Sequence, residues 1–165
     1  MTDSSFITLR SVRSTDEAFL LRLFRTFRND IDYAVGLSEV EKKTFIQQQF
    51  TAQRRSYQQK YPDSSSKLIL VESARAGRVW IARLQDQIRL VDIMVLPSFQ
   101  NQRVGSFLIA KLQEEARSTE RPLRHMVHRT NQDALRFYQR HGFSQQPSPF
   151  PTHHAMVWHP EQSLS

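Results

Sequence analysis

The sequence predicts a mixed α/β (α+β) fold, a sheet of about seven strands with about four helices packed on it. Two observations lead there. Stretches alternating apolar and polar residues return along the chain, and stretches of helical spacing separate them, in the order β, α, α, β, β, β, α, β, α, β, β. The chain has 165 residues, which suits one domain spanning 1–165 that buries its core without a metal or disulfide.

Phe6 to Val12 alternates and reads as a first, half-buried strand. Ser14-Thr15-Asp16-Glu17 starts a helix whose apolar face is Phe19, Leu20, Leu23, Phe24 and Phe27. Residues 29–36 form a loop, and Ser38-Glu39-Val40-Glu41 is a capping box opening a second helix through Ile46, Phe50 and Tyr57. Leu68 to Glu72, Arg78 to Leu84 and Ile88 to Leu96 are three strands joined by turns at Ala76-Gly77 and Gln85-Asp86-Gln87. Pro97 stops the third. Val104, Leu108, Leu112 and Ala116 mark a helix, Leu123 to His128 a strand, and Asn131 to His141 a last helix with Gly142 as its left-handed cap. Phe143-Ser144 and His154 to Trp158 are short closing strands around the Pro-rich loop 147–151.

Composition narrows the chemistry. With no cysteine there is no disulfide framework, no Cys-ligated zinc or iron–sulfur site and no thiol nucleophile. A net charge of +7 favours a phosphorylated cofactor, an acidic substrate or nucleic acid, and equally fits solvated helix faces. Residues 1–5 carry no basic-then-apolar leader, and no apolar run nears the roughly eighteen residues of a membrane span, so a soluble cytoplasmic protein is expected. His125 and His128 point to opposite strand faces and His153-His154 has no motif spacing, so no metal is expected.

Two segments carry candidate chemistry. In the first, a buried strand runs through Met94, Val95 and Leu96 to a proline, and a short loop enters a helix near Arg103. The unsatisfied N–H groups of that helix start suit an anion, and Gly105 lets a ligand approach the backbone. In the second, Asn131, Ala134 and Tyr138 lie at i, i+3 and i+7 and share one helix face, an amide and a phenol flanking a small residue. Read singly, each is also an ordinary helix start.

Together, the order strand–Pro–Gln-x-x-x-x-Gly–helix–strand–Asn-x-x-Ala-x-x-x-Tyr-x-x-x-Gly-Phe resembles the GCN5-related N-acetyltransferase (GNAT) superfamily, most strongly from Ile88 to Phe143. The resemblance implies a splayed mixed sheet with helices on both faces and acetyl-CoA held between the fourth and fifth strands. It assigns the backbone of Met94, Val95 and Leu96 to the pantetheine arm, and Gln100, Asn101, Gln102, Arg103, Val104, Gly105 and Ser106 to the pyrophosphate. Asn131 and Ala134 would meet the cofactor arm, and Tyr138 would sit near the thioester sulfur. Arg103 and Asn101 stand where the family commonly has glycine, which weakens or redirects the phosphate contact.

The resemblance implies direct attack of a primary amine on acetyl-CoA, with a strand-end backbone N–H polarising the carbonyl. Tyr138, a phenol of pKa about 10, is a chemically sensible proton donor to the departing thiolate. Asp92, inside an apolar strand, and His128, at a strand end, are candidate bases; a carboxylate paired with an arginine and a rim histidine are the plainer readings. Asp30, Asp32 and Tyr33 lie on the loop over which acceptors enter in this family, and suit a cationic amine. The alternatives are a catalytically weak basic module for nucleic acid or an acidic partner, with nucleic acid the less favoured, and transfer of a longer acyl group. A monomer and a homodimer are both compatible with the sequence.

Overall fold

Alternation and helical spacing become the expected elements in a computed structural model that describes residues 6–100 and 102–161. The chain divides into two compact units, one of residues up to 80 together with 92–102, the other of 81–91 together with 103 onward. The hydrogen-bonded strand order is β1-β2-β3-β4-β5-β7-β6. Its strands are β1 (Ile7–Ser11), β2 (Ser65–Val71), β3 (Ala74–Arg83), β4 (Ile88–Val95), β5 (Leu123–His128), β6 (Ser144–Gln146) and β7 (His153–Trp158). The helices are α1 (Glu17–Thr26), α2 (Asn29–Asp32), α3 (Glu39–Lys60), α4 (Val104–Thr119) and α5 (Gln132–Arg140).

In the first unit, β1 pairs antiparallel with β2 from Ile7↔Val71 to Ser11↔Lys67. The apolar face of α1 buries Phe19, Leu20, Leu23 and Phe24 with Ile46 and Phe50 of α3 and Leu68 of β2. The rings of Phe24 and Phe50 lie 5.5 Å apart and tilted. Ser38 caps α3 by accepting from the Glu41 N–H at 3.1 Å, as the Ser-x-x-Glu pattern requires. Phe27 departs from expectation: it lies one residue past α1 and is exposed. The short α2 occupies the start of the predicted loop.

The β2–β3 connection is the clearest correction. The sequence places a turn at Ala76-Gly77, but the chain turns at Glu72 and Ser73, with φ of 49° and 70°. Two successive left-handed residues are the geometry that a two-residue hairpin between right-twisted strands demands. Gly77 lies inside β3 instead, where a Cβ would fall 2.1 Å from the Met94 carbonyl oxygen. Glycine is there because the β4 backbone approaches too closely for any side chain.

Asp16 is fully buried at the entrance to α1. Its oxygens accept from both terminal nitrogens of Arg10 at 2.8 Å, from the Arg13 N–H at 2.8 Å and from Arg75 Nε at 3.0 Å. These bonds, Arg10's first, hold its carboxyl well below the usual range despite burial.

In the second unit, β4 and β5 pair in parallel at Ile88↔Leu123, Arg89↔Arg124 and Leu90↔His125. β5 then runs antiparallel to β7 from Leu123↔Trp158 to His128↔His153, and β7 carries the exposed edge strand β6. α4 buries Val104, Leu108, Leu112 and Ala116, the row that its spacing predicts, together with Ile109. Gly142 ends α5 at φ 88°, the expected left-handed cap.

Two outcomes test this description. Gly77→Ala forces the β3 and β4 backbones apart, so chemical denaturation is expected to show a loss of about 3 kcal/mol, far beyond an ordinary surface change. Asp16 has a depressed folded pKa, so its contribution is full above the unfolded value of about 3.9 and is lost as pH falls below it. Stability measured from pH 6 to pH 2 is expected to drop through that window, and Asp16→Ala to cost about 3–5 kcal/mol at pH 7 and flatten the drop.

Candidate active site

In the first unit, the end of β4 is tied to β3 through its backbone. The Leu96 N–H donates to the Ala76 carbonyl at 2.8 Å. No peptide bond among the described residues is cis, so the Val95 carbonyl, on the same planar peptide, points the opposite way, away from β3. It accepts from Nε2 of Gln100, an exposed side chain, at 3.0 Å. An outward acceptor held, among the described residues, by a long, solvent-facing amide is one that a ligand N–H can take over. Met94 is buried, while Val95 and Leu96 are half-buried.

Asp92, also on β4, bonds Arg78 of β3 at 2.5 Å. Arg78 is 1% exposed, stacks 5.4 Å from the Trp80 ring centre, and has a buried Nε without a partner among the described residues. The Tyr57 ring stands edge-on to Trp80 at 5.2 Å, and its hydroxyl is pushed up by burial first and by the Asp92 charge second. Asp92 is therefore the arginine-paired carboxylate of the plainer sequence reading. Arg78 and Tyr57 were not singled out by sequence; only the rarity of an arginine inside an apolar strand marked the first.

The acids of the predicted acceptor loop are paired with arginines that precede it. Asp30 pairs with Arg28 at 3.1 Å and Asp32 with Arg25 at 2.6 Å, while the Asp32 carbonyl accepts from Lys42. Arg28 holds the Asp30 carboxyl below its usual value. Tyr33 is 82% exposed.

In the second unit, the N-terminus of α4 presents its first-turn amides. Arg103 precedes the helix with φ 61° and ψ 20° and makes no side-chain cap bond; the first intrahelical bond runs from the Phe107 N–H to the Arg103 carbonyl. An arginine thus occupies, where the family commonly has glycine, the left-handed region that glycine visits without strain. A Cβ on Gly105 would meet the Phe137 ring at 3.1 Å, so that glycine admits the α5 aromatic against α4. Its absent side chain has a packing cause, which the sequence reading assigned to ligand approach. Val104 is buried, Ser106 half-buried and Gln102 exposed; Asn101 lies outside the described residues.

Asn131 caps α5, its Oδ1 accepting from the Ala134 N–H at 3.1 Å. Tyr138 is buried, with ring centres of His125, Phe137 and Phe143 at 4.9, 5.1 and 5.3 Å. The His125 Nδ1 lies 2.8 Å from the Leu90 carbonyl, an acceptor only, so Nδ1 carries the proton. The closeness of His125 to Tyr138 is a tertiary contact that no spacing signalled. His128 is exposed, bonds Thr130 Oγ1 at 2.7 Å and stands edge-on to His153 at 5.2 Å. Burial, then the His128 charge, lowers the His153 pKa.

Residues 64–145 match the family described as acetyltransferase (GNAT) domain. The fold is similar to that of PaiA N-acetyltransferase from Thermoplasma acidophilum, solved in complex with coenzyme A. Identity is 18%, the TM-score 0.68, and the match covers 93% of this chain and 98% of that one. An acetyltransferase from Thermus thermophilus gives 16% identity and a TM-score of 0.65 over 93% of this chain and 96% of that one. A spermidine N-acetyltransferase SpeG chimera from Vibrio cholerae and hSSAT gives 14% identity and a TM-score of 0.65 over 96% of this chain and 98% of that one. No curated protein matches the sequence. Fold and domain match together define an acyltransferase class. The family match over residues 64–145 and this fold identify a GNAT acetyltransferase domain within the chain.

The left-handed Arg103 makes a direct prediction. Removing its strain gains roughly 1–2 kcal/mol, and the freer unfolded chain offsets roughly 0.4–1 of that. Arg103→Gly is therefore expected to raise the thermal midpoint by about 2 °C in calorimetry. A lower midpoint would mean that the arginine side chain stabilises the loop.

Proposed function

We propose that the chain is an acetyl-CoA-dependent N-acetyltransferase that transfers the acetyl group directly to a primary amine. The observation that carries this reading is the Val95–Leu96 peptide, with its N–H spent on β3 and its carbonyl turned outward to the exposed Gln100 amide. An amide of the pantetheine arm fits that acceptor in place of Gln100. The uncapped amides of Val104, Gly105 and Ser106 at the start of α4 suit the pyrophosphate, and the positive end of the helix dipole favours its charge.

Bound acetyl-CoA would supply the activated acyl group. The protein would position it through β4 backbone and α4 amides, and the Tyr138 phenol would give a proton to the thiolate as it leaves. The aromatic ring contacts that bury Tyr138 fix its orientation, so a donated proton is aimed rather than shared with bulk water. Asn131 and Ala134 belong to the cofactor side of this reading. Asp92 and His128 remain the proposed bases. Asp92 is bonded to Arg78, whereas His128 is exposed and its ring is hydrogen-bonded to Thr130. Asp30, Asp32 and Tyr33 are the proposed acceptor contacts. With both acids paired to arginines, Tyr33 is the residue of the three that offers an open surface.

Titration of acetyl-CoA by calorimetry, with ATP as control, is expected to give one-to-one binding near micromolar, about −8 kcal/mol. Tyr138→Phe conserves the buried ring and is expected to retain that binding while lowering kcat by roughly 10²-fold or more. No heat at millimolar acetyl-CoA would contradict the assignment, and an unchanged kcat would remove Tyr138 from the chemistry.

A further inference from the structure

A second polar site lies among first-unit residues that the acetyl-transfer reading does not use. Arg10 of β1, Phe19 and Arg22 of α1, Leu70 of β2, Ser73 of the turn and Arg75 of β3 line a pocket of about 390 Å³. That volume is within the range of small-molecule sites, roughly 300–1,000 Å³.

The charge on this pocket is not cancelled from within. Asp16 is its one buried carboxylate neighbour, and its two oxygens already accept four N–H donors. That saturates a carboxylate. Asp16 therefore acts as an anchor: it fixes Arg10 by a two-pronged bond and Arg75 through Nε, leaving the terminal nitrogens of Arg75 without a bond to any described residue. Arg22 has no carboxylate partner among the described residues; its guanidinium carbon lies 5.6 Å from the Phe19 ring centre. Of the other acids close in sequence, Glu17 is bonded to Arg54, and Glu72 does not line the pocket. Three guanidinium groups against one carboxylate leave a formal surplus of two positive charges.

We propose that this pocket is a binding site for a small organic phosphate monoester. A phosphate dianion matches the surplus charge, and its oxygens match the forked donors of Arg22 and Arg75. The Ser73 hydroxyl adds a donor on the same wall. Buried Phe19 and half-buried Leu70 give an apolar face that a bare phosphate ion leaves uncovered, which selects an ester carrying an apolar or aromatic group. Asp16 pre-orders two of the three arginines, so little side-chain freedom remains to be lost on binding. The proposal stands independently of acetyl-CoA binding, because none of the lining residues is assigned to that cofactor.

Calorimetric titration of phenyl phosphate into the full chain tests it, beside inorganic phosphate and with acetyl-CoA present at saturation. The expected result is one-to-one binding with a Kd below about 1 mM, at least about tenfold tighter than inorganic phosphate and unchanged by acetyl-CoA. Arg22→Gln, at an exposed position away from the Asp16 bonds, is expected to weaken it about tenfold while leaving the thermal midpoint of the free protein unchanged. Absence of binding, equal affinity for inorganic phosphate, displacement by acetyl-CoA, or full affinity in Arg22→Gln would each overturn the assignment.

Discussion

The end of β4 is held against β3 at alternate residues, and the proposed chemistry of the first unit depends on that attachment. Arg78 bonds Asp92, the Met94 carbonyl lies over Gly77, and the Leu96 N–H donates to Ala76. Each contact is specific to its residue types. A side chain at 77 would push the Met94 carbonyl away, and loss of Asp92 would leave Arg78 charged and buried without a carboxylate. With the Leu96 N–H committed, the Val95 carbonyl has a fixed direction, because a planar trans peptide admits no other. A backbone acceptor becomes a binding group when its direction is fixed and its partner is replaceable, and Val95 meets both conditions.

Ion pairing consumes much of the polar surface that the net charge suggested would face a partner. Arg25 binds both Asp32 and Glu39, Arg54 binds Glu17, and Arg83 binds Glu115. Exposed pairs of this kind contribute little to stability, but they decide which charges are left to act on a ligand. The acids of the α2 region are paired in this way, so a cationic acceptor there would compete with Arg25 and Arg28 for them. The arginine excess survives around Asp16, where one carboxylate anchors more positive charge than it neutralises.

Much of the fold was legible because its signals are local. Ser38 and Asn131 cap helices as their hydrogen-bonding side chains require, Gly142 supplies the left-handed residue after α5, and the apolar rows of α1 and α4 are buried as spaced apart from Phe27. Around the candidate site, the sequence signals the strand–proline–helix junction and the Asn131 cap of α5, and both local elements are present. What stayed hidden was tertiary or strained. Glu72, Ser73 and Arg103 take left-handed conformations that their side chains do not announce, so the only nearby glycine drew the predicted turn to the wrong place. Gly77 and Gly105 are set by a carbonyl and a ring distant in sequence, and His125 meets Tyr138 only once β5 and α5 are folded.

Amide NMR of the isotopically labelled chain, with and without acetyl-CoA, tests the central claim most directly. The account predicts that the side-chain NH2 signal of Gln100 shifts as it leaves the Val95 carbonyl. The backbone amides of Val104, Gly105 and Ser106 should shift with it, while the Leu96 amide, bonded to β3, stays slow to exchange. Binding that leaves Gln100 and the α4 amides unmoved would contradict the account, because the cofactor would then be held by other groups.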